Sequence, residues 1–499
     1  MKPKLKKFKS IVLAVLLFAT TFSEPANAIG DPVQNCKIER NAPFDRSPVS
    51  VGFPIHPDRY VGKTEVNVLV ASFELADVKY SGNIAAYKQR DANTADLISR
   101  LSRGKVKINF AYTDKTYTHR RTLQEWQDLK AGQHEAYGAQ NEAKSTWGFV
   151  REAIQNLDKD IDFSKVDTVV LQGPFDSRVA SEEKTAVYEA FMTISEANGF
   201  FRPFATNEKN ILNAFVMSGT FEWLSYAHEL LHNFGLTDLY DMNGTIGGPL
   251  AYKWSLFSSG NPTLFYWERW QLDWLNESEV VCFDLRNDPL LTPKEILLNF
   301  KDRTNAKLIV IRTGPKAAYA VELREPILLE EYKGSDRYKD LSGQALVTYS
   351  VESDRIPAPI RLESQPNQTT VDDLSFDTSR NVGNYVVYIL DSEIGQMKIG
   401  IWSNSLSESK EVSELKTAAS KLRQARLIAI AEQEAAALKA KQEAEAKAKL
   451  EAEAKALAEK SSNKSPVVAP KKTIICIKGK TLKKVTSINP KCPYGYKKK

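Results

Sequence analysis

Two histidines and a glutamate in the middle of the chain have the spacing of a metal-dependent hydrolase site. They lie in the sequence HELLH, which runs from His228 to His232. On a helix, residues four apart share one face, so both imidazoles can reach one Zn²⁺ at about 2.0–2.1 Å. Glu229 is offset by about 100° around the helix, which directs its carboxylate to a metal-bound water. The expected chemistry is hydrolysis by an activated water, with Glu229 as the general base.

Three carboxylates are candidates for the third metal ligand. Gly235 can take a left-handed conformation that ends the helix, after which the chain can turn back and present Asp238. An aspartate oxygen is an acceptable zinc ligand, and Asp238 is the preferred choice because Gly235 is placed to aim it. Glu268 would serve instead in a site of the thermolysin type, and Asp241 is the third candidate. The chain has only five histidines, so a chance HExxH has odds of about one in several hundred.

The elements around the motif alternate between strand and helix, as is typical of an α/β domain. A helix predicted over 221–234 carries the motif and is ended by Gly235. The other predicted elements are buried strands at 65–73 and 167–172 and helices at 145–157 and 263–275. We therefore expect an α/β (α+β) catalytic domain over residues 60–281.

The composition changes twice after this domain. Five short β-type runs, separated by Gly, Pro, Asp and Ser, predict a small antiparallel β-domain over 282–405. Residues 412–460 contain no Gly or Pro, which predicts a long charged helix acting as a spacer, with weak coiled-coil potential. Residues 461–470 are a predicted linker, and 471–499 form a small basic module. The five β-type runs are 308–312, 318–323, 344–351, 385–390 and 397–402.

The first 28 residues have the pattern of a secretory signal peptide. Five lysines precede an apolar run at 11–22 that is too short for a membrane span, and ANA at 26–28 fits a cleavage site. An uncleaved anchor is the alternative. We expect a secreted chain that begins near Ile29, with an N-terminal segment at 29–59 and no transmembrane segment after cleavage. Association with the cell surface is a further option.

Four cysteines remain after the signal, and an even number in an exported chain favours disulfides. Cys476 and Cys492 lie in the basic module, which is too short to form a core, so we expect a disulfide there. Cys36 and Cys282 would then pair by elimination. The sequence leaves open a second role for Cys36, as a thiolate ligand of the zinc.

The formal net charge of +6 is concentrated at the end of the chain. Residues 471–499 contain ten lysines and no Asp or Glu. A nucleic-acid partner for the whole protein is therefore not expected. The module is suited to anionic surfaces, and anionic cell-wall polymers are its candidate partners.

The segment HELLHNFGLTDLYD, residues 228–241, resembles the active-site signature of the immune inhibitor A-like family of secreted bacterial metallopeptidases. These enzymes are of the metzincin type, with the pattern H-E-x-x-H-x-x-G-x-x-D and a following Tyr-Asp. The resemblance implies a metzincin-like catalytic domain, protein or peptide substrates, and Zn²⁺ held by His228, His232 and Asp238 beside the base Glu229. Further segments that resemble the family extend the similarity over roughly residues 60–355, and lie at 160–167, 252–260, 267–275, 319–324 and 343–351.

One position departs from the family pattern. Metzincin-type enzymes place a methionine in a tight turn beneath the metal, and Phe257 occupies the corresponding position here. Phenylalanine can form the same hydrophobic floor with a change in packing. Tyr252 and Tyr266 are candidates, by position, for stabilising charge in the transition state. DMNG at 241–244 has the oxygen ligands and sharp turn of a Ca²⁺ loop, although an ordinary polar turn is the commoner explanation.

The sequence thus predicts a secreted zinc endopeptidase, with two alternatives. The first is a non-catalytic cell-surface adhesion or scaffold protein, against which the intact Glu229 argues. The second is a zinc hydrolase that acts on a non-peptide amide of the cell wall. The basic module would suit either alternative.

Overall fold

The computed structural model describes sixteen stretches of the chain, which divides into two compact units, residues 1–422 and 423–499. The fold is mixed α/β, and the described strands form several open sheets and no barrel. No helix among the described residues is long and apolar enough to cross a bilayer. The predicted signal peptide lies outside the described residues. These are 30–41, 49–80, 84–131, 146–174, 190–191, 203–218, 223–240, 254–259, 262–286, 290–302, 304–324, 345–355, 358–363, 379–393, 395–462 and 469–499.

The central sheet has the order β2-β1-β4-β8-β5, and β3 also pairs with β1. Strands β2, β1, β4 and β8 are parallel, whereas β5 is antiparallel to β8. Strands β6 and β7 form a separate antiparallel pair. The strands are β1 Glu65–Glu74, β2 Lys107–Tyr112, β3 Tyr117–Thr118, β4 Thr168–Gly173, β5 Ala190–Phe191, β6 Phe204–Ala205, β7 Asn210–Ile211 and β8 Asn213–Ser218.

Both faces of the central sheet are buried, which explains the valine-rich sequence of β1. Because side chains alternate across a strand, Val66, Val68 and Val70 enter one hydrophobic core, while Leu69 and Phe73 enter another. Helices α1 and α4 contribute to the first core, and α2 and α3 to the second. The helices are α1 Ile84–Leu101, α2 Leu123–Ala131, α3 Thr146–Leu157, α4 Trp223–His232, α5 Leu256–Ser259, α6 Tyr266–Gln271 and α7 Lys410–Ser462.

The helix predicted over 263–275 is wrong in its extent. The observed α6 covers only Tyr266–Gln271, and Asp273 has a positive φ of 58°. A residue in this left-handed region cannot continue a right-handed helix. Within the described ranges, four short 3₁₀ segments also occur, at Val33–Cys36, Phe163–Lys165, Glu277–Glu279 and Asn404–Leu406.

Two sheets follow the central sheet along the chain, with orders β14-β13-β12-β11-β9 and β10-β17-β16-β15. The prediction of a purely antiparallel region is wrong at one pair, because β9 and β11 are parallel. The chain between them passes through β10 in the other sheet, and such a crossover is what a parallel pair needs. The strands are β9 Val280–Asp284, β10 Lys294–Asn299, β11 Leu308–Arg312, β12 Ala317–Arg324, β13 Ala345–Glu352, β14 Ile360–Leu362, β15 Ser379–Val382, β16 Tyr385–Glu393 and β17 Gln396–Ser403.

The five-stranded sheet lies between two cores. On β11, Leu308 and Val310 belong to the core that contains α4, while Ile309 and Ile311 face the four-stranded sheet. The β-rich region is therefore packed directly against the region that carries HELLH.

Both disulfides predicted from the sequence are confirmed. Cys36 and Cys282 are bonded with a Cα–Cα distance of 5.7 Å, and Cys476 and Cys492 with 5.6 Å. Cys36 therefore has no free thiolate to offer a metal in this structure. Two disulfides fit an extracellular protein.

Helix α7 contains the whole predicted spacer, 412–460, within its bounds. In the first unit, Val412 and Ala419 pack against Trp402. The basic module forms a three-stranded antiparallel sheet of order β19-β18-β20 and contains the Cys476–Cys492 disulfide. Its strands are β18 Lys472–Lys478, β19 Thr481–Ser487 and β20 Lys497–Lys498.

Candidate metal centre

Helix α4 ends two residues before the predicted end at 234. Its last residue is His232, and Gly235 follows with a φ of +100°. The Gly235 N–H donates to the His232 carbonyl at 2.9 Å. A Cβ at Gly235 would lie 2.4 Å from Cγ2 of Ile55, so both the backbone angle and the space require glycine. The chain then reverses and brings Asp238 back to the helix.

Three side chains converge beside the end of α4. His228 Nε2 lies 3.1 Å from Asp238 Oδ1, and His232 Nε2 lies 3.6 Å from the same oxygen. One ligand atom from each residue falls within 4.8 Å of the other two. Across the described part of the chain, this is the only such group of three His, Cys, Asp or Glu side chains. Two imidazoles and one carboxylate are a donor set suited to a divalent metal.

Backbone carbonyls orient both histidine rings. His228 Nδ1 lies 3.1 Å from the Leu256 oxygen, and His232 Nδ1 lies 2.8 Å from the Leu236 oxygen. A carbonyl can only accept, so each Nδ1 carries the hydrogen in these bonds. When the imidazole is neutral, its Nε2 presents a lone pair to the shared point near Asp238, which is the tautomer that a metal ligand needs. The motif itself gives no signal for these carbonyls, and sequence reasoning missed them.

Phe257 lies under both imidazoles. Its ring centroid is 4.6 Å from that of His228 and 4.9 Å from that of His232, and the residue is fully buried. Its carbonyl accepts a hydrogen bond from the Leu239 N–H at 2.9 Å, next to Asp238. The position that the resemblance assigns to a methionine therefore contacts both histidines.

The charges in the cluster influence one another. Burial alone would lower the pKa of His228, but the hydrogen bond to Asp238 and the charge of Glu229 outweigh it and raise that pKa to about 9. Burial would raise the pKa of Asp238, and the two histidines reverse that effect and lower it. Burial raises the pKa of Glu229, with His228 and His232 opposing it. Tyr240, which the sequence signature includes without a role, stacks on His228 and hydrogen-bonds to Asp238.

Glu229 has a buried oxygen with no protein donor. Its Oε2 receives no hydrogen bond from any residue that the structure describes. An unsatisfied buried acceptor costs about 1–3 kcal/mol, so it needs a reason to be kept. A water or substrate group in the cluster is the kind of partner that such an oxygen can take.

The other sequence candidates have different environments. Glu268 is 1% exposed and accepts hydrogen bonds from Ser255 and from the Phe265 N–H, so Asp238, not Glu268, meets the two histidines. Tyr266 is buried in the hydrophobic core with the Arg269 guanidinium over its ring. Tyr252, Asp241 and the calcium-loop candidate at 241–244 lie outside the described residues.

No protein-family model matches this chain, and no curated protein matches it in sequence.

Proposed function

We propose that this protein is a secreted zinc-dependent endopeptidase with a metzincin-like catalytic domain. The observation that carries the proposal is the convergence of His228 Nε2, His232 Nε2 and Asp238 Oδ1, with both Nδ1 atoms hydrogen-bonded to carbonyls. The α/β fold and the resemblance of residues 228–241 support the same class of protein. The N-terminal signal pattern and the two disulfides support secretion.

His228, His232 and Asp238 would hold the zinc, and the chain's other groups would serve the reaction around it. Bound zinc supplies a Lewis acid that lowers the pKa of water and polarises the scissile carbonyl. Glu229 takes a proton from the attacking water and delivers it to the leaving amine. Phe257 excludes water beneath the imidazoles and keeps both rings in place. Tyr252 is the proposed, less specific candidate for stabilising charge on the substrate, whereas the burial of Tyr266 in the hydrophobic core argues against that role for it.

The environment of Glu229 favours an enzyme over a scaffold. A scaffold protein gains nothing from a buried carboxylate oxygen without a donor, whereas a general base must keep that oxygen free of protein donors so that it can take the reacting proton. The choice between a peptide and a non-peptide amide substrate rests on the resemblance, which implies peptide or protein substrates. Calcium at 241–244 remains a secondary proposal from the residue types alone.

The test combines metal content with proteolysis by the purified full chain. We expect about one zinc per chain, hydrolysis of a general protein substrate, and loss of that hydrolysis with a chelator. Glu229→Ala should keep the zinc and lose activity, while Glu432→Ala on the exposed part of α7 should resemble wild type. Absence of zinc would refute the proposal. Zinc without proteolysis in the wild type would favour the hydrolase of a cell-wall amide.

For the basic module, we propose binding to anionic cell-wall polymers. All ten of its lysines are exposed, and no acidic residue within 471–499 neutralises them. Binding of the full chain to Gram-positive cell walls should weaken with added salt and with removal of the phosphate polymers from the walls. Replacing Lys483, Lys484 and Lys497 by Gln should weaken it further than replacing Lys439, Lys441 and Lys447 of α7. Equal effects of the two triple variants would argue against a specific role of the module.

A further inference from the structure

A buried arginine of the β-rich region is bonded to the stretch of chain beneath the histidines. We call this stretch the floor segment and define it as residues 254–259 and 262–264. Arg324, at the end of β12, is 5% exposed. Its Nη1 donates to the Leu264 carbonyl at 2.7 Å, and its Nη2 donates to the Trp254 carbonyl and to Thr263 Oγ1, both at 2.9 Å. One guanidinium thus joins both ends of the floor segment.

The acceptors around Arg324 are arranged for a planar, permanently charged donor. Glu322 on the same strand accepts from Arg324 Nη1 at 2.7 Å, and also accepts from Tyr349 Oη at 2.6 Å and the Tyr266 N–H at 2.8 Å. Leaving a buried guanidinium without acceptors costs several kcal/mol, and arginine does not lose its proton in proteins. The path of the floor segment is therefore coupled to the position of Arg324.

The floor segment contacts the candidate metal ligands in three ways. The Leu256 carbonyl accepts from His228 Nδ1, and the Phe257 ring lies under both histidines. The Phe257 carbonyl accepts from the Leu239 N–H, next to Asp238 in the chain. Within the segment, the Leu256 N–H donates to the Thr263 carbonyl at 2.7 Å. This hydrogen bond links residues 254–259 to residues 262–264.

We propose that Arg324 is a positioning residue for the metal centre, acting through the floor segment. The inference rests on the proposed zinc site. It makes the β-rich region part of the metal centre, because a side chain of β12 fixes the carbonyl that orients His228 and the ring beneath both imidazoles. Groups that orient metal ligands typically change metal affinity by about 10–100-fold when they are altered.

Arg312 provides a matched control on the neighbouring strand β11. It is also 5% exposed, and its guanidinium donates to the carbonyls of Asn35, Gly314 and Pro315, which lie outside the floor segment. The experiment measures the zinc dissociation constant of the full chain by competition with a chelator, together with the free energy of unfolding. Arg324→Met and Arg312→Met should both lower stability, but only Arg324→Met should weaken zinc binding, by about tenfold or more.

Arg324→Lys keeps the positive charge but loses the planar guanidinium with its several N–H donors. Its zinc affinity should therefore fall between those of wild type and Arg324→Met. Unchanged zinc affinity in Arg324→Met, or an equal loss in Arg312→Met, would overturn the inference. If the wild type binds no zinc, the proposed function fails, and hydrogen exchange still tests the inference. Arg324→Met should then speed exchange of the amides of Phe257 and Leu239, and equal exchange in wild type and variant would refute the coupling.

Discussion

The buried carboxyl of Glu268 should make the stability of the first unit depend on pH. Burial is the largest influence on this group, and it outweighs the hydrogen bonds from the Phe265 N–H and Ser255 to raise its pKa to about 7. The folded protein therefore retains a proton that the unfolded chain, with an ordinary value of 4.5, releases. The stability gained from that proton is fully present below pH 4.5 and is lost as pH rises through 7.

The size of the effect follows from these two values. The difference between 4.5 and about 7 corresponds to about 3 kcal/mol in total, and about 2 kcal/mol of that is lost between pH 5.5 and 8.5. Glu268→Gln removes the ionisation and keeps an oxygen that can accept from Phe265. We expect the unfolding free energy of Glu268→Gln, relative to wild type, to rise by about 2 kcal/mol over this range.

Urea unfolding at several pH values, followed by tryptophan fluorescence, measures this difference. All eight tryptophans lie between residues 126 and 402, so the signal reports on the first unit. A chelator in every sample keeps metal binding out of the comparison. The metal-ligand groups are the same in both proteins, and their titration cancels in the difference.

Glu152→Gln is the control, because the pKa of Glu152 is shifted in the opposite direction to that of Glu268. Burial would raise the pKa of Glu152, but hydrogen bonds from Arg121 and Arg120 outweigh it and lower that pKa to about 2. Its contribution is present above pH 4.5 and is lost as pH falls toward 2, so its variant should differ from wild type by a constant amount between pH 5.5 and 8.5. An equally constant difference for Glu268→Gln would refute the reasoning, because it would mean that Glu268 is already ionised in the folded protein.

Substitutions at Gly235, at the Cys36–Cys282 disulfide and at Phe257 test how the site is supported. Gly235→Ala should destabilise by about 1–3 kcal/mol in urea unfolding, because it places a side chain at a φ of +100°. Serine at both Cys36 and Cys282 should cost up to about 5 kcal/mol by the loop-entropy model, since the bond closes a loop of 246 residues, and reduction of wild type should reproduce the loss. Phe257→Met should change the unfolding free energy by less than about 1.5 kcal/mol, whereas Phe257→Ala should cost about 3–5 kcal/mol and weaken zinc binding in the same competition assay.

The sequence predicted most reliably the strands that are apolar because both of their faces are buried. The run 308–312 coincides with β11, and its first four residues are all apolar because alternate residues enter two different cores. The predicted strand at 65–73 agrees with β1 to within one residue for the same reason. The helix that carries HELLH and its end near Gly235 were likewise predictable, because capping at a helix end is local.

Helix α1 escaped prediction because its inward face is partly polar. Arg90, Asp91 and Thr94 are all buried there, so no apolar repeat marks the helix. Arg90 donates to Asp91 and to Gln172 of β4, and Tyr112 of β2 donates to Asp91. These partners come from elements distant in sequence, which a reading of local periodicity cannot supply.

The same distinction between local and distant contacts applies to the proposed third ligand, Asp238. HELLH fixes two imidazoles on one helix, and any helix with this sequence would present them together. The choice among Asp238, Asp241 and Glu268 depends instead on where the chain goes after Gly235. The bond from the Leu239 N–H to the Phe257 carbonyl helps to fix that path, and the floor segment that provides it is itself bonded to Arg324. A motif of five residues can therefore indicate a candidate metal site, but the completion of the candidate triad depends on contacts made up to 96 residues beyond His228.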